Sequence, residues 1–283
     1  MDSDLGNQLT SSYDDLQCSF SISNLFVAEA DQITSAVGAI DLRARREAVA
    51  LVLKAQSDCN LKPSIAYLAV NYIDRYLSKR EIPSDKPWIV RLLTVSCLSL
   101  ASKMQMTVMT LEDIQRNEGF VFNLHTIQRM ELLVLGALDW RMRSITPFSF
   151  LPFFLSFFSE VQASFLQALQ AHAADILLKA LNDVKMLEFK PSVMAASALV
   201  SATYEFLPVQ SSSFRVALAS SKCVDKEKLW KCSNAMAVAA ATLTASSPET
   251  SMTVFSHLGS SSESQPAAGC HLKIPVRDEN DRQ

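Results

Sequence analysis

WIVRLLTVSCLSLAS, residues 88–102, carries one charge, Arg91. Its apolar residues fall on every side of a 3.6-residue helix. A helix without a polar face is not a surface helix; other elements surround it. The stretch therefore predicts a buried central helix, and its neighbours supply the shell. Upstream, Pro83-Ser-Asp-Lys-Pro87 reads as a loop. Before that, Pro63 stands where a first-turn proline is tolerated, and Ala66, Val70, Ile73 and Leu77 form a stripe at helical spacing. Earlier still, Ala48, Val49, Val52 and Leu53 mark a helix over Arg45 to Ala55, which breaks at Ser57-Asp-Cys-Asn60. Downstream, Thr110-Leu-Glu-Asp113 fits a capping box opening a short helix. Leu124, Ile127, Val134, Leu135 and Leu138 then stripe a fifth helix that ends near Asp139 and Trp140.

The second half repeats this plan without repeating the residues. Helices are predicted over 147–158, 164–181, 191–206, 212–219 and 225–243, and the one over 191–206 is again mostly apolar. Thr146 is expected to cap the first of them. Phe148, Phe150, Phe153, Phe154, Phe157 and Phe158 read as core and as packing between the two halves. Alternating β patterns and Asn-Gly or Asp-Gly turns are wanting. The chain reads as all-α: two tandem five-helix bundles. A polar arm over 1–22 is expected to be disordered. The bundles span 23–143 and 144–245. A Ser, Pro and acidic tail over 246–283 is also expected to be disordered.

Composition closes off several functions. The 283 residues carry a net charge of −3 with no basic stripe, which argues against nucleic acid. The 6 cysteines form no CxxC pair, and the 4 histidines are scattered, so reduced thiols are expected and no metal site. The acidic, polar start argues against a signal peptide, and the longest uncharged apolar stretch, 145–159, is too short and too broken by Pro147 and Pro152 for a membrane span. Glycine numbers only 6, and the phosphate-binding GxGxxG and GxxxxGK[ST] patterns are missing, as is the GxSxG elbow. No cofactor and no catalysis are expected.

Four charges lie on or beside faces that the periodicity makes apolar. Arg45 precedes Val49 by four, Asp74 lies between Val70 and Leu77, Glu131 lies between Ile127 and Leu135, and Lys103 closes the buried helix. An unpaired charge in a core costs several kcal/mol, so each needs a partner. For Arg45 and Asp74 an internal ion pair is the favoured reading. For Lys103 and Glu131 two readings stand level: an internal pair, or a groove edge that meets another protein. No nucleophile accompanies either pair.

These charges sit inside recognisable words. LAVNYIDRYL (68–77) resembles the second helix of the cyclin box. KPW (86–88) with CLSLASKM (97–104) resembles the third helix in the plant D-type form, and TIQRMELLVL (126–135) resembles the fifth. WRM (140–142) and TPFSF (146–150) resemble the start of the second box. The resemblance is specific from Arg45 to Leu155 and looser to Leu243. It implies a regulatory subunit, not an enzyme, that binds and activates a cyclin-dependent serine/threonine kinase at G1/S. The expected compartment is the nucleus, with some cytoplasm. It also implies that Lys103 and Glu131 bind the kinase around its C-helix, while Arg45 and Asp74 order the box internally.

The sequence departs from the family in three places. Gln105 and Met106 stand where an acidic pair usually follows the third-helix lysine, which keeps open a degenerate cyclin that binds a kinase without activating it. The first-helix tryptophan position is Leu51, so no substrate-docking patch is assigned. Leu16-Gln-Cys18-Ser-Phe20 keeps the Leu and Cys of LxCxE but not its acid, so only weak binding to a retinoblastoma-related protein is expected. In the tail, Ser247 before Pro248 is a candidate proline-directed phosphorylation site. A transcription-type cyclin-box protein is the other rival, and the acidic charge balance disfavours it.

Overall fold

The computed structural model describes residues 22–29, 40–83, 85–107, 110–115, 121–158, 161–206, 208–220 and 223–245. Leu16, Cys18 and Ser247 lie outside the described residues, as do all of the expected arm but its last residue, Ile22, and the whole of the expected tail.

A short helix, α1 (residues 22–28), comes first. The first bundle follows as α2 (Leu42–Asp58), α3 (Pro63–Leu77), α4 (Trp88–Met104), α5 (Leu111–Gln115) and α6 (Leu124–Ala137). The second bundle holds α7 (Leu151–Leu155), α8 (Ala163–Ala180), α9 (Pro191–Phe206), α10 (Pro208–Ser220) and α11 (Lys226–Ala245), with 3-10 turns at Pro147–Ser149, Ser156–Phe158 and Val184–Glu188. Among the described residues there is no strand.

Local chemistry sets the helix ends. Asp41 accepts from the Arg43 and Ala44 amides to open α2, and Asn123 accepts from the Thr126 amide to open α6. Thr110 Oγ1 accepts from the Asp113 amide at 3.2 Å to open α5. At the far end of α6, Asp139 and Trp140 adopt left-handed φ of 52° and 58°, and the Trp140 amide returns to the Leu135 carbonyl at 2.9 Å.

Helix α4 is the axis of the first bundle, packed by α2, α3 and α6. It is buried from Leu92 through Ser102, while Trp88 in its first turn is half exposed. One of its hydroxyls is absorbed locally, Thr94 Oγ1 donating to the Val90 carbonyl at 2.9 Å, and Ser96 Oγ donates across to the Ile127 carbonyl of α6 at 3.5 Å. Helix α9 plays the same part among α8, α10 and α11. Its Ala195, Ala196, Ala198 and Ala202 are fully buried, and small side chains let neighbouring helices approach closely.

Three expectations need correction. Residues 147–158 form no continuous helix but a 3-10 turn, a one-turn helix and a second 3-10 turn. Pro152 explains the break, because it has no N–H to give the Phe148 carbonyl. Thr146 makes no side-chain cap; it is buried, and its carbonyl accepts from the Ser149 amide. The sequence reading also placed no helix at 22–28. There Ile22, Leu25 and Phe26 pack on the core, and the Phe26 ring lies 4.9 Å from Phe150 and 5.7 Å from Phe153.

Candidate partner-binding site

Arg45 leaves the first turn of α2 and reaches Asp74 in the last turn of α3. Its Nε donates to Oδ1 at 2.8 Å and its Nη2 to Oδ2 at 3.2 Å, a two-pronged pair. Its remaining nitrogen, Nη1, donates to the Leu181 carbonyl at 2.8 Å, just past α8. One guanidinium thus joins two helices of the first bundle to the second. Both partners are about 97% buried. Burial pushes the Asp74 carboxyl above its ordinary range, and the Arg45 cation opposes this without cancelling it.

Lys103 sits in the last turn of α4, where a cation suits the helix dipole. Its Nζ lies 2.7 Å from each oxygen of Glu131 on α6. The two side chains differ sharply in exposure: Lys103 is 60% exposed and Glu131 10%. Glu131 is therefore sunk between α4 and α6, with Lys103 as its cover on the solvent side. The ammonium has three donors and spends two on Glu131, so one is left for a partner. The Glu131 carboxylate likewise keeps lone pairs that one lysine does not use. A few residues along the same two helices, Met104, Leu132 and Leu133 are exposed, and Met106 is 95% exposed at a φ of 50°. The charged pair is therefore flanked in sequence by apolar side chains open to solvent, the mixture that partner surfaces use.

The two residues of the departure from the family pattern part company here. Gln105 turns back on α3, its Oε1 accepting from Ser64 Oγ at 2.8 Å. Met106 faces solvent. Only the second of them changes what a partner meets. At Leu51, the recess shared with Ala55, Arg91 and Ile114 measures about 10 Å³, room for a water and no more.

Comparison with known proteins places this architecture. The N-terminal cyclin domain family model matches residues 17–143, and the C-terminal cyclin domain family model matches residues 145–268. Cyclin-D6-1 of Oryza sativa subsp. japonica is 44% identical over 274 residues, covering 93% of this chain and 84% of that one. The chain belongs to the cyclin family, on its plant D-type branch. Cyclin-D1-1 of Arabidopsis thaliana is 44% identical over 175 residues, 61% of this chain and 51% of its own length. Among solved structures, a viral cyclin from herpesvirus saimiri superposes with a TM-score of 0.63 at 18% identity, covering 77% of this cyclin and 96% of the viral one. The CAK complex of Chaetomium thermophilum bound to ATP-gamma-S contains a chain that superposes at 0.52 with 17% identity, covering 76% of this cyclin and 74% of that chain.

One buried charge escaped the sequence reading. Glu29, just after α1, is 2% exposed and accepts from the Ser192 amide at 3.0 Å and the Ser192 hydroxyl at 2.8 Å, with Lys190 Nζ 3.7 Å away. It satisfies an orphan amide at the start of α9 from 163 residues away in sequence, a cap that no local motif announces. The available signal was the Ile22, Leu25, Phe26 spacing, which predicts a helix with one apolar face. Replacing Glu29 by Ala leaves the Ser192 amide and hydroxyl without a partner. This is expected to cost about 1–3 kcal/mol, read as a lower urea midpoint at unchanged slope.

Proposed function

We propose that this cyclin is the regulatory subunit of a cyclin-dependent serine/threonine kinase, which it binds and activates to drive G1/S progression and cell division. Membership of the cyclin family supports reading the chain as a regulator rather than a catalyst. The observation that carries the kinase reading is the Lys103–Glu131 pair: an ion pair at the surface end of the central helix, with a spare donor and open lone pairs, flanked in sequence by exposed Met104, Met106, Leu132 and Leu133. Such a face can hold the kinase C-helix inward, so that the C-helix Glu meets the ATP-binding Lys and the activation loop opens. The charged pair fixes register, and the apolar rim provides buried area. Action in the nucleus, with some in the cytoplasm, belongs to the same proposal.

A second reading, binding without activation, is favoured by Met106 alone. A bare methionine stands where the family pattern has an acid, so the charge met by the kinase differs. The test is phosphorylation of histone or a retinoblastoma-type protein by a purified plant cyclin-dependent kinase, with and without the full chain. Stimulation supports activation. Co-purification without stimulation supports the second reading, and no association sinks both.

Two lesser proposals concern residues outside the described structure. Leu16 and Cys18 bind a retinoblastoma-related protein weakly, and a pull-down showing tight capture that Cys18→Ala abolishes would overturn this. Ser247, followed by Pro248, accepts phosphate from a proline-directed kinase, and Ser247→Ala is expected to remove that label.

A further inference from the structure

The second bundle carries an open cleft of about 340 Å³ between three helices. Half-buried Val200 of α9 and Leu229 of α11 give it an apolar base. Arg215 comes from α10, and Lys226, Trp230 and Asn234 come from α11. The last three stand four residues apart and so lie along one stripe of the helix. Trp230 is 64% exposed. A large indole face left in water is an unused contact surface, and tryptophan is among the residues that concentrate binding energy.

The charge that lines this cleft is one-sided. Among the described residues no carboxylate lines the cleft, and neither Arg215 nor Lys226 has an ion-pair partner. The acids beside Lys226 in sequence are engaged elsewhere. Asp225 accepts from the Glu227 and Lys228 amides at the start of α11, and Glu227 pairs with Lys231 at 2.6 Å. In a chain of net charge −3, two uncommitted cations beside an exposed tryptophan form a local field of the opposite sign.

We infer that this cleft docks an acidic segment of a partner protein, with a carboxylate held by Arg215 and Lys226 and an apolar side chain laid against Trp230 over Val200 and Leu229. A guanidinium receives a carboxylate through two parallel hydrogen bonds, which sets orientation as well as attraction. The volume suits a few side chains of an extended segment and is too small for a folded element. Nucleic acid fits less well, because two cations neutralise too few phosphates to hold it. The site lies on the second bundle and does not rest on the kinase reading.

The test is fluorescence anisotropy with the full chain and a short fluorescein-labelled peptide of alternating glutamate and leucine. Saturable binding is expected. It is expected to weaken about tenfold or more in both Arg215→Glu and Trp230→Ala, and to fall as salt is added. Both side chains are exposed, so the two variants are expected to unfold at the wild-type temperature. Failure of the glutamate peptide to bind, equal binding of a lysine–leucine peptide, or binding indifferent to both substitutions would overturn the proposal. Tighter capture of a labelled single-stranded oligonucleotide would overturn it in favour of nucleic acid.

Discussion

Asp74→Ala is expected to destabilise this cyclin by about 3–5 kcal/mol, because it strands a buried guanidinium. Arg45 is 4% exposed, and only the Leu181 carbonyl would remain to it. Against a typical total of about 5–15 kcal/mol, that loss is a large share of the chain's stability. A double variant, Arg45→Met with Asp74→Leu, removes both charges and is expected to be more stable than either single change. It still leaves the Leu181 carbonyl without its donor, at a cost of about 1 kcal/mol. Urea midpoints at constant slope decide the matter. A single change that costs no more than a surface substitution, about 0.5 kcal/mol, would mean the pair is dispensable.

The same pair gives a pH signature whose sign is fixed by burial. The Asp74 carboxyl already stands above its ordinary 3.8 in the folded protein, because desolvation outweighs the pull of Arg45. A carboxyl raised on folding holds its proton more tightly in the folded state. Its contribution is therefore fully present below 3.8 and is lost as pH rises through the folded value. In Arg45→Met the opposing cation is gone and the folded value moves higher. Stability of that variant is expected to fall by up to about 1.4 kcal/mol per pH unit above 3.8, until the folded carboxyl ionises. The native protein has the same sign over a narrower window. A variant whose midpoint rises with pH there would contradict the account.

What was legible in the sequence follows from how far each signal reaches. The burial of α4 could be read because an apolar helix has only one place to go. Arg45 and Asp74 could be flagged because a charge on an apolar face demands a partner within reach. The Leu181 contact could not be read, since a backbone carbonyl carries no residue signature and the donor lies 136 positions away. Glu29 escaped for a related reason: its cap on α9 joins segments that no local spacing connects. The interruption at Pro152 was legible in principle, but the phenylalanine pattern around it spoke for one helix. At the candidate site the residues could be named, but not their relation. Periodicity left Lys103 and Glu131 as either an internal pair or a partner face. In the structure they form a bonded pair whose lysine is open to water.

That double character fixes the second large effect, on partner binding. Glu131→Gln keeps the shape and releases Lys103, already 60% exposed, into water, so stability is expected to change by less than about 1 kcal/mol. Lys103→Ala leaves a carboxylate that is 10% exposed without its cover and is expected to cost about 1–3 kcal/mol. The two substitutions thus differ in stability but agree in function. Under the proposed kinase role each removes a group that meets the partner. Lys103→Ala with Glu131→Ala is expected to weaken kinase association by at least about 30-fold, the equivalent of about 2 kcal/mol. The charge swap, Lys103→Glu with Glu131→Lys, separates the internal role from the external one. It keeps an ion pair between α4 and α6, so the chain still unfolds in one cooperative step, but it presents each charge where the partner expects the other. Loss of kinase stimulation by the folded swap variant places both residues in the partner interface. Undiminished stimulation by both double variants would reduce the pair to a strut between two helices.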